Sequence, residues 1–302
     1  MTIVVGSSPT HQTRDSIHLA ATLARSAGTD LVVVAVVPAP WRGRASQVDR
    51  DYRSYLTDRA RESLAALSGD LPEDVSCRTV VRESASVSEG LVAAVREFDA
   101  PMLVLGSSTM GLLGRVGLGS VTERLLHSSP VPVAVAPRGF TAAADKRITR
   151  VSIAYAVGPD ESALITTAAE VAHDVGASVR LVTFAVRPSA PITSGVGLRV
   201  EDDVIDTWAE DLQEAARVLR DRVSRLAGPP VQEEPVLGRG ETWARALEVV
   251  PWGRGDVLVV GSSRTARTAR VFLGGTASKI ARHSPVPVIV VPRPGGRVAS
   301  AG

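Results

Sequence analysis

Gly106, Gly119 and Ser120 frame the stretch GSSTMGLLGRVGLGS, which follows the apolar run PMLVL and leads into the helix-forming VTERLLHSS. A glycine at a strand end lets a ligand approach the main chain closely. A Gly-Ser pair at a helix start adds a hydroxyl to amides that have no intrahelical partner and to the positive end of the helix dipole. The chemistry these residues offer is anion holding, with phosphate the natural guest. Gly106, Ser108, Thr109, Gly119, Ser120, Val121 and Thr122 are the residues that would line it. A second stretch, GSSRTARTARVFLGG, puts Gly261, Gly274, Gly275 and Thr276 in the same order, with Arg264 where the first has Thr109. Arg264, Arg267 and Arg270 could attract a phosphate, or their long side chains could fill its place.

Other chemistry finds little footing. There is no Gly-x-x-x-x-Gly-Lys-Ser/Thr loop and no Gly-x-Ser-x-Gly elbow. His11, His18, His127, His173 and His283 have no metal-ligand spacing, and His127 and His283 fall near helix ends, where the dipole welcomes a cation. Asp202–Asp203 and Glu233–Glu234 lie in polar segments and read as solvated pairs. Glu123 reads as a first-turn acid facing the helix dipole. No residue is assigned a catalytic role and no metal site is expected.

These loops need strands and helices to place them, and the chain supplies them twice. HSSPVPVAVAPR at His127–Arg138 recurs as RHSPVPVIVVPR at Arg282–Arg293, and LVLGSS recurs as LVVGSS. Strands are predicted at Ile3–Ser7, Leu31–Val37, Ser76–Val81, Met102–Gly106 and Pro132–Ala136, with helices near His11–Ala27, Ser46–Ser68, Ser86–Phe98 and Ser120–Ser128 between them. The second helix carries Val48, Tyr52, Tyr55, Leu56, Ala60, Leu64 and Leu67 on one face, and Ser86 with Glu89 forms a capping-box pattern. In the second copy Val200, Val204, Trp208, Leu212, Leu219, Val223 and Leu226 mark the long helix. Strands such as MLVL and VLVV are apolar at every position, as parallel strands covered on both faces require. The expected fold is therefore α/β, with two tandem open doubly wound parallel-sheet domains. They span residues 1–140 and 148–294, joined by GFTAAADKRIT and followed by a flexible tail, 295–302.

Composition agrees. The 302 residues are 44% hydrophobic but only 4% aromatic, which gives a core of Val, Leu, Ile and Ala. A net charge of +2, with basic and acidic residues interspersed as in DRDYRSYLTDRARESL, supplies no nucleic-acid face. Cys77 is the single cysteine and reads as an inert strand thiol. No run approaches the roughly 18 apolar residues of a membrane span, so the expected location is the cytoplasm.

The repeated strand order, the glycine after the fourth strand, the spacing to Gly-Ser and the Pro-Val-Pro-Val final strand resemble the universal stress protein family in tandem form, over nearly the whole chain. The resemblance implies a Rossmann-like fold of the adenine nucleotide alpha hydrolase type, ATP or a related adenine nucleotide as ligand, magnesium only in company with ATP, and a non-enzymatic role in stress response. The family's nucleotide-binding members carry Gly-x-x-Gly-(nine residues)-Gly-Ser/Thr and an aspartate at the end of the first strand. On this pattern the first copy gives Gly106, Thr109, Gly119 and Ser120, with Gly6, Ser7, Ser8 and Val36 beside the adenosine. Ser8 stands at the aspartate position. The second copy keeps Gly261 and Gly274 but has Arg264, Gly275 and, at the aspartate position, Ala156.

If the second glycine must have positive φ, Thr109 costs about 1–2 kcal/mol there; losing the aspartate contact weakens binding by about tenfold or more. Three readings follow: a nucleotide binder working mainly through its first half, a scaffold for protein–protein interaction without nucleotide, or a slow nucleotide hydrolase. VPVAV and VPVIV would be exposed valine-rich edges if left alone. They are expected to pair with each other, as family members pair through their last strands; a further homodimer is left open.

Overall fold

Valine-rich strands with no polar face must be covered on both sides, and in the computed structural model they form the centre of a single ten-stranded sheet. The structure describes residues 2–8, 14–39, 46–68, 70, 73–108, 112–143, 145–155, 162–186, 198–226, 230–262 and 275–292. The first half runs β1 (Thr2–Ser7), α1 (Arg14–Ala27), β2 (Asp30–Pro38), α2 (Gln47–Ser68), β3 (Cys77–Ser84), α3 (Val87–Glu97), β4 (Leu103–Leu105), α4 (Ser120–Ser128) and β5 (Val133–Val135). The second runs β6 (Arg150–Ala154), α5 (Ser162–Asp174), β7 (Ser178–Val186), α6 (Leu198–Val223), β8 (Val236–Gly240), α7 (Trp243–Glu248), β9 (Asp256–Gly261), α8 (Gly275–His283) and β10 (Val288–Val291). The expected tail, 295–302, lies outside the described residues.

The strand order is β3-β2-β1-β4-β5-β10-β9-β6-β7-β8. Each half is a parallel sheet in the doubly wound order, and the two meet at the antiparallel pairing of β5 with β10, where Ala134 opposes Ile289. The final strands therefore do pair with each other. The strands feed two cores on opposite faces: one lies under α1, α2, α5 and α6, the other under α3, α4, α7 and α8, and both continue from one half into the other. The connection between the halves is fastened to α1. Ile148 N donates to Ser26 Oγ at 2.8 Å, and the buried Arg25 donates to the Lys146 carbonyl at 2.9 Å while its other arm holds Asp74.

Local signals explain most of the helices. Ser86 caps α3 by accepting from Glu89 N, as the capping pattern predicts. Gly90 lets α3 lie close on β2, because a Cβ there would sit 2.7 Å from Val36 Cγ1. The apolar face predicted for α2 is only half right. Ala60, Leu64 and Leu67 are buried, but Val48, Tyr52 and Tyr55 are exposed, at 75%, 60% and 57%. With 22 residues α2 is about 33 Å long, against about 26 Å for the eight-residue β3 beside it, so its first turns overhang the sheet. Cys77 opens β3 half-buried, and burial pushes its thiol pKa up, as befits an inert thiol.

The second half departs from the first at the amino ends of its strands. Where Val4 opposes Val32, Ser152 opposes Arg180. Arg180 is buried, donates from Nε and Nη2 to Ser152 Oγ at 3.1 and 2.9 Å, and lies 5.3 Å over the Trp252 ring. The buried Asp256 takes both arms of Arg150, at 3.0 and 2.7 Å, and Arg150 reaches on to Glu233 at 2.9 Å. Glu233, expected to be solvated, is thus engaged, because a main-chain bond from its N–H to Val179 O draws it against β7, where Ser178 Oγ also donates to it.

Removing Asp256 takes from the buried Arg180 the carboxylate 3.5 Å away and from Arg150 one of its two acidic partners. Asp256→Ala is expected to destabilise the fold by about 3–5 kcal/mol in urea unfolding. Burial favours protonation of Glu233, but the Ser178 hydroxyl and Arg150 outweigh it and hold the pKa below the ordinary glutamate value. The stability it contributes is thus complete above that ordinary value and is lost as pH falls through the depressed one. Glu233→Gln should flatten the fall in unfolding free energy measured from about pH 6 down to about pH 3.

Candidate functional site

In the order β3-β2-β1-β4-β5 the chain leaves β1 for one side and later returns on the other, which opens a crevice at the carboxyl ends of β1 and β4. Gly6, Ser7 and Ser8 come from β1 and its end; Gly106 and Ser108 follow β4. Ser107 is the knot of the loop. Its hydroxyl donates to the Ala136 carbonyl at 2.5 Å and accepts from Gly117 N at 2.9 Å. Ser108 N donates to Gly117 O at 2.8 Å, so the outgoing and returning limbs are laced together. Gly114 turns the loop with φ +73, the left-handed region that glycine enters without strain, and donates to Arg138 O.

This lacing puts Gly119 against Ser108, 3.4 Å from Ser108 Cβ to where a Cβ on Gly119 would stand. Gly119 is the N-cap of α4 in extended conformation and provides no side-chain cap, whereas Ser86 and Thr242 cap α3 and α7. The first helical bond runs from Glu123 N to Gly119 O. The amides of Ser120, Val121 and Thr122 therefore have no intrahelical carbonyl to bond. Ser120 and Val121 are exposed and Thr122 is buried. Ser108, Gly119 and Ser120 are thus together at one helix start, an arrangement suited to an anion.

Two of the predicted residues have packing roles. A Cβ on Gly6 would stand 2.8 Å from Leu105 Cδ2 and 3.0 Å from Leu91 Cδ1, so glycine there admits α3 and β4. Val36 is buried, with its side chain against Gly90 beneath α3. Thr109 lies outside the described residues. Sequence reasoning missed Asp15, in the first turn of α1. Burial pushes its pKa up, against a hydrogen bond from the Gly139 main chain. A carboxylate whose partner is a distant peptide group leaves no pattern in the sequence.

Among the described residues, the second half differs from the first at the corresponding strand ends. Gly261 ends β9, and Gly275 and Thr276 open α8 exposed to solvent; Gly274, Ala156 and Arg264 lie outside the described residues. The pairing registers set Ala154 where the first half has Gly6, Tyr155 in place of Ser7 and Phe184 in place of Val36. Phe184 packs against Trp243 of α7, ring centres 6.2 Å apart, and Gly238 makes room, since a Cβ there would stand 2.7 Å from Phe184 Cδ1. Phe184 thus packs beneath α7 as Val36 does beneath α3, while Ala154 and Tyr155 are larger than the Gly6 and Ser7 they replace.

The second half also reaches the first-half loop. Arg115 donates from Nη1 to the His283 carbonyl at 2.8 Å and from Nη2 to Glu248 Oε1 at 2.9 Å. Glu123, in the first turn of α4, accepts from Arg282 of α8 at 2.7 Å. Its position near the positive helix end agrees with the dipole reading, and the ion pair adds a link between the halves. Among the described residues no cluster of His, Cys, Asp and Glu could hold a metal, and no helix is long and apolar enough to cross a membrane.

Known proteins share this plan. A universal stress protein of Mycobacterium tuberculosis strain H37Rv is 36% identical over 301 residues, covering 97% of this chain and all of the relative. One from Mycolicibacterium smegmatis is 29% identical over 271 residues, covering 86% of this chain and 83% of the relative. The crystal structure of a universal stress protein from Archaeoglobus fulgidus DSM 4304 superposes with a TM-score of 0.60 at 18% identity, covering 97% of this chain and 98% of that one. A structure from Pseudomonas aeruginosa UCBPP-PA14 gives 0.54 at 17%, covering 96% and 92%. The family pattern itself matches twice, at residues 1–137 and 149–292. With the doubled parallel sheet and these relatives along nearly its full length, the chain belongs to the universal stress protein family.

Proposed function

We propose that the first half, residues 1–140, binds an adenine nucleotide, ATP or a near relative, and that residues 148–294 serve as its structural partner. The observation that carries this reading is the uncapped start of α4, with Ser108, Gly119 and Ser120 gathered at the switch point between β1 and β4. The Ser120, Val121 and Thr122 amides and the Ser120 hydroxyl would bind phosphate oxygens, and the helix dipole favours their charge. Magnesium would arrive with the nucleotide. The protein binds without catalysis and works in a cytoplasmic stress response. Ala154 and Tyr155 in place of Gly6 and Ser7 favour binding in the first half alone.

A second reading, a protein-interaction scaffold without nucleotide, draws on the exposed Val48, Tyr52 and Tyr55 of α2 and on Ser8 at the aspartate position. One set of measurements separates the two. The purified protein is denatured and its released small molecules are analysed, and then ATP is titrated calorimetrically into the wild type, Ser120→Ala and Gly119→Val. Loss of the Ser120 hydroxyl should weaken ATP by about tenfold or more, since a hydrogen bond to a charged group is worth about 1.5–3 kcal/mol. Gly119 has φ −87 and only ordinary contacts at its Cβ position, so valine should fold normally there while its methyl groups crowd the phosphate. Absence of binding to the wild type at millimolar ATP would leave the scaffold.

A further inference from the structure

We propose that Arg115 is a positioning residue through which the second half holds the first half's loop in shape for phosphate. This rests on the nucleotide reading of the α4 site. Arg115 lies among the bonds that lace the loop: its carbonyl accepts from Arg138 N at 2.9 Å, and Gly114 N beside it donates to Arg138 O at 2.8 Å. Two residues on, Gly117 is bonded through its N–H to Ser107 and through its carbonyl to Ser108.

A guanidinium in a phosphate-holding loop would ordinarily be assigned to the anion. Here Nη1 and Nη2 are committed elsewhere, to the His283 carbonyl at the end of α8 and to Glu248 at the end of α7. The Arg115 side chain is 23% exposed and Glu248 40%. Glu248 balances the arginine's charge, so the contribution to a ligand is geometric. A loop fixed before the ligand arrives has less freedom left to lose on binding. The pair Arg282–Glu123 adds a second tie on the first turn of α4, but at 52% and 46% exposure it is the weaker of the two. The loop and the helix start on which phosphate would rest are each gripped from the other half.

The test uses the full chain and leaves every residue of the phosphate site intact. Glu248→Ala removes the charged one of Arg115's two acceptors and leaves the His283 carbonyl, Glu248→Gln keeps an acceptor oxygen for Arg115, and Arg245→Ala removes the residue that donates to the other oxygen of Glu248. Hydrogen exchange at the Gly114 and Gly117 amides and calorimetric ATP affinity are measured for each, with thermal unfolding as control. Glu248→Ala is expected to speed exchange at these amides by about fivefold and to weaken ATP by about threefold, without matching changes in other amides. Glu248→Gln should stay within about twofold of the wild type, and Arg245→Ala should be silent. Unchanged loop exchange in Glu248→Ala overturns the proposal, and so does faster exchange with undiminished ATP affinity. If the wild type binds no ATP, the nucleotide reading fails by itself, and the exchange data still decide whether the second half holds the loop.

Discussion

Three pairings between β5 and β10, Val135 with Val288, Ala134 with Ile289 and Val133 with Val290, make the two halves one body. They convert two valine-rich edges, each an open row of main-chain donors and acceptors, into the interior of a sheet. Because both strands belong to one chain, meeting is an intramolecular event and needs no second molecule. The same junction fixes how α4 faces α8 and carries both cores across the middle. The reach of Arg115 to Glu248 and of Arg282 to Glu123 depends on that alignment.

The two halves share a fold and pack it differently. In the first, glycines allow close approach: Gly6 admits Leu91 and Leu105, and Gly119 lies against Ser108. In the second, Tyr155, Phe184 and Trp243 add bulk at the corresponding strand ends and helix, and the buried Arg180 and Asp256, joined by the half-buried Arg150, form an ionic group at the opposite ends. Such a group is no reliable gain in stability, since desolvating its charges offsets much of their attraction. Its effect is to make the second half depend on a correct ionic arrangement. The first half meets no such condition at Val4 and Val32.

The sheet was legible because strands such as Leu103–Leu105 and Val257–Val260 have no polar alternate residue, and because the whole series occurs twice. Pairing of the last strands was legible from the same logic, an apolar edge that must be covered. The loop and helix start were legible as residue types, Gly106 and then Gly119–Ser120. What escaped was whatever depends on distance in space. Gly6 and Gly90 are explained by neighbours that approach within 3 Å, and periodicity says nothing of that. The overhang of α2 comes from comparing a helix with the strand beside it. Glu233 looked solvated because its partner Arg150 is 83 residues away, and Arg115 meets its acceptors 133 and 168 residues on. Periodicity reports which face is buried, not which charge waits on another element.

With β5 and β10 spent on each other, β3 and β8 are the outer strands of the sheet. β3 has no fully buried residue and carries Arg78, Arg82 and Glu83, with Arg78 lying over Phe98 and Arg82 paired to Glu97. β8 is five residues long, VLGRG, with Gly238 and Gly240 pressed against α7. One rim is charged and the other is short and glycine-rich, and neither is a good template for another strand. Growth of the sheet is halted at both ends, so copies of this protein crowded together in a cell are poorly suited to zip into fibrils.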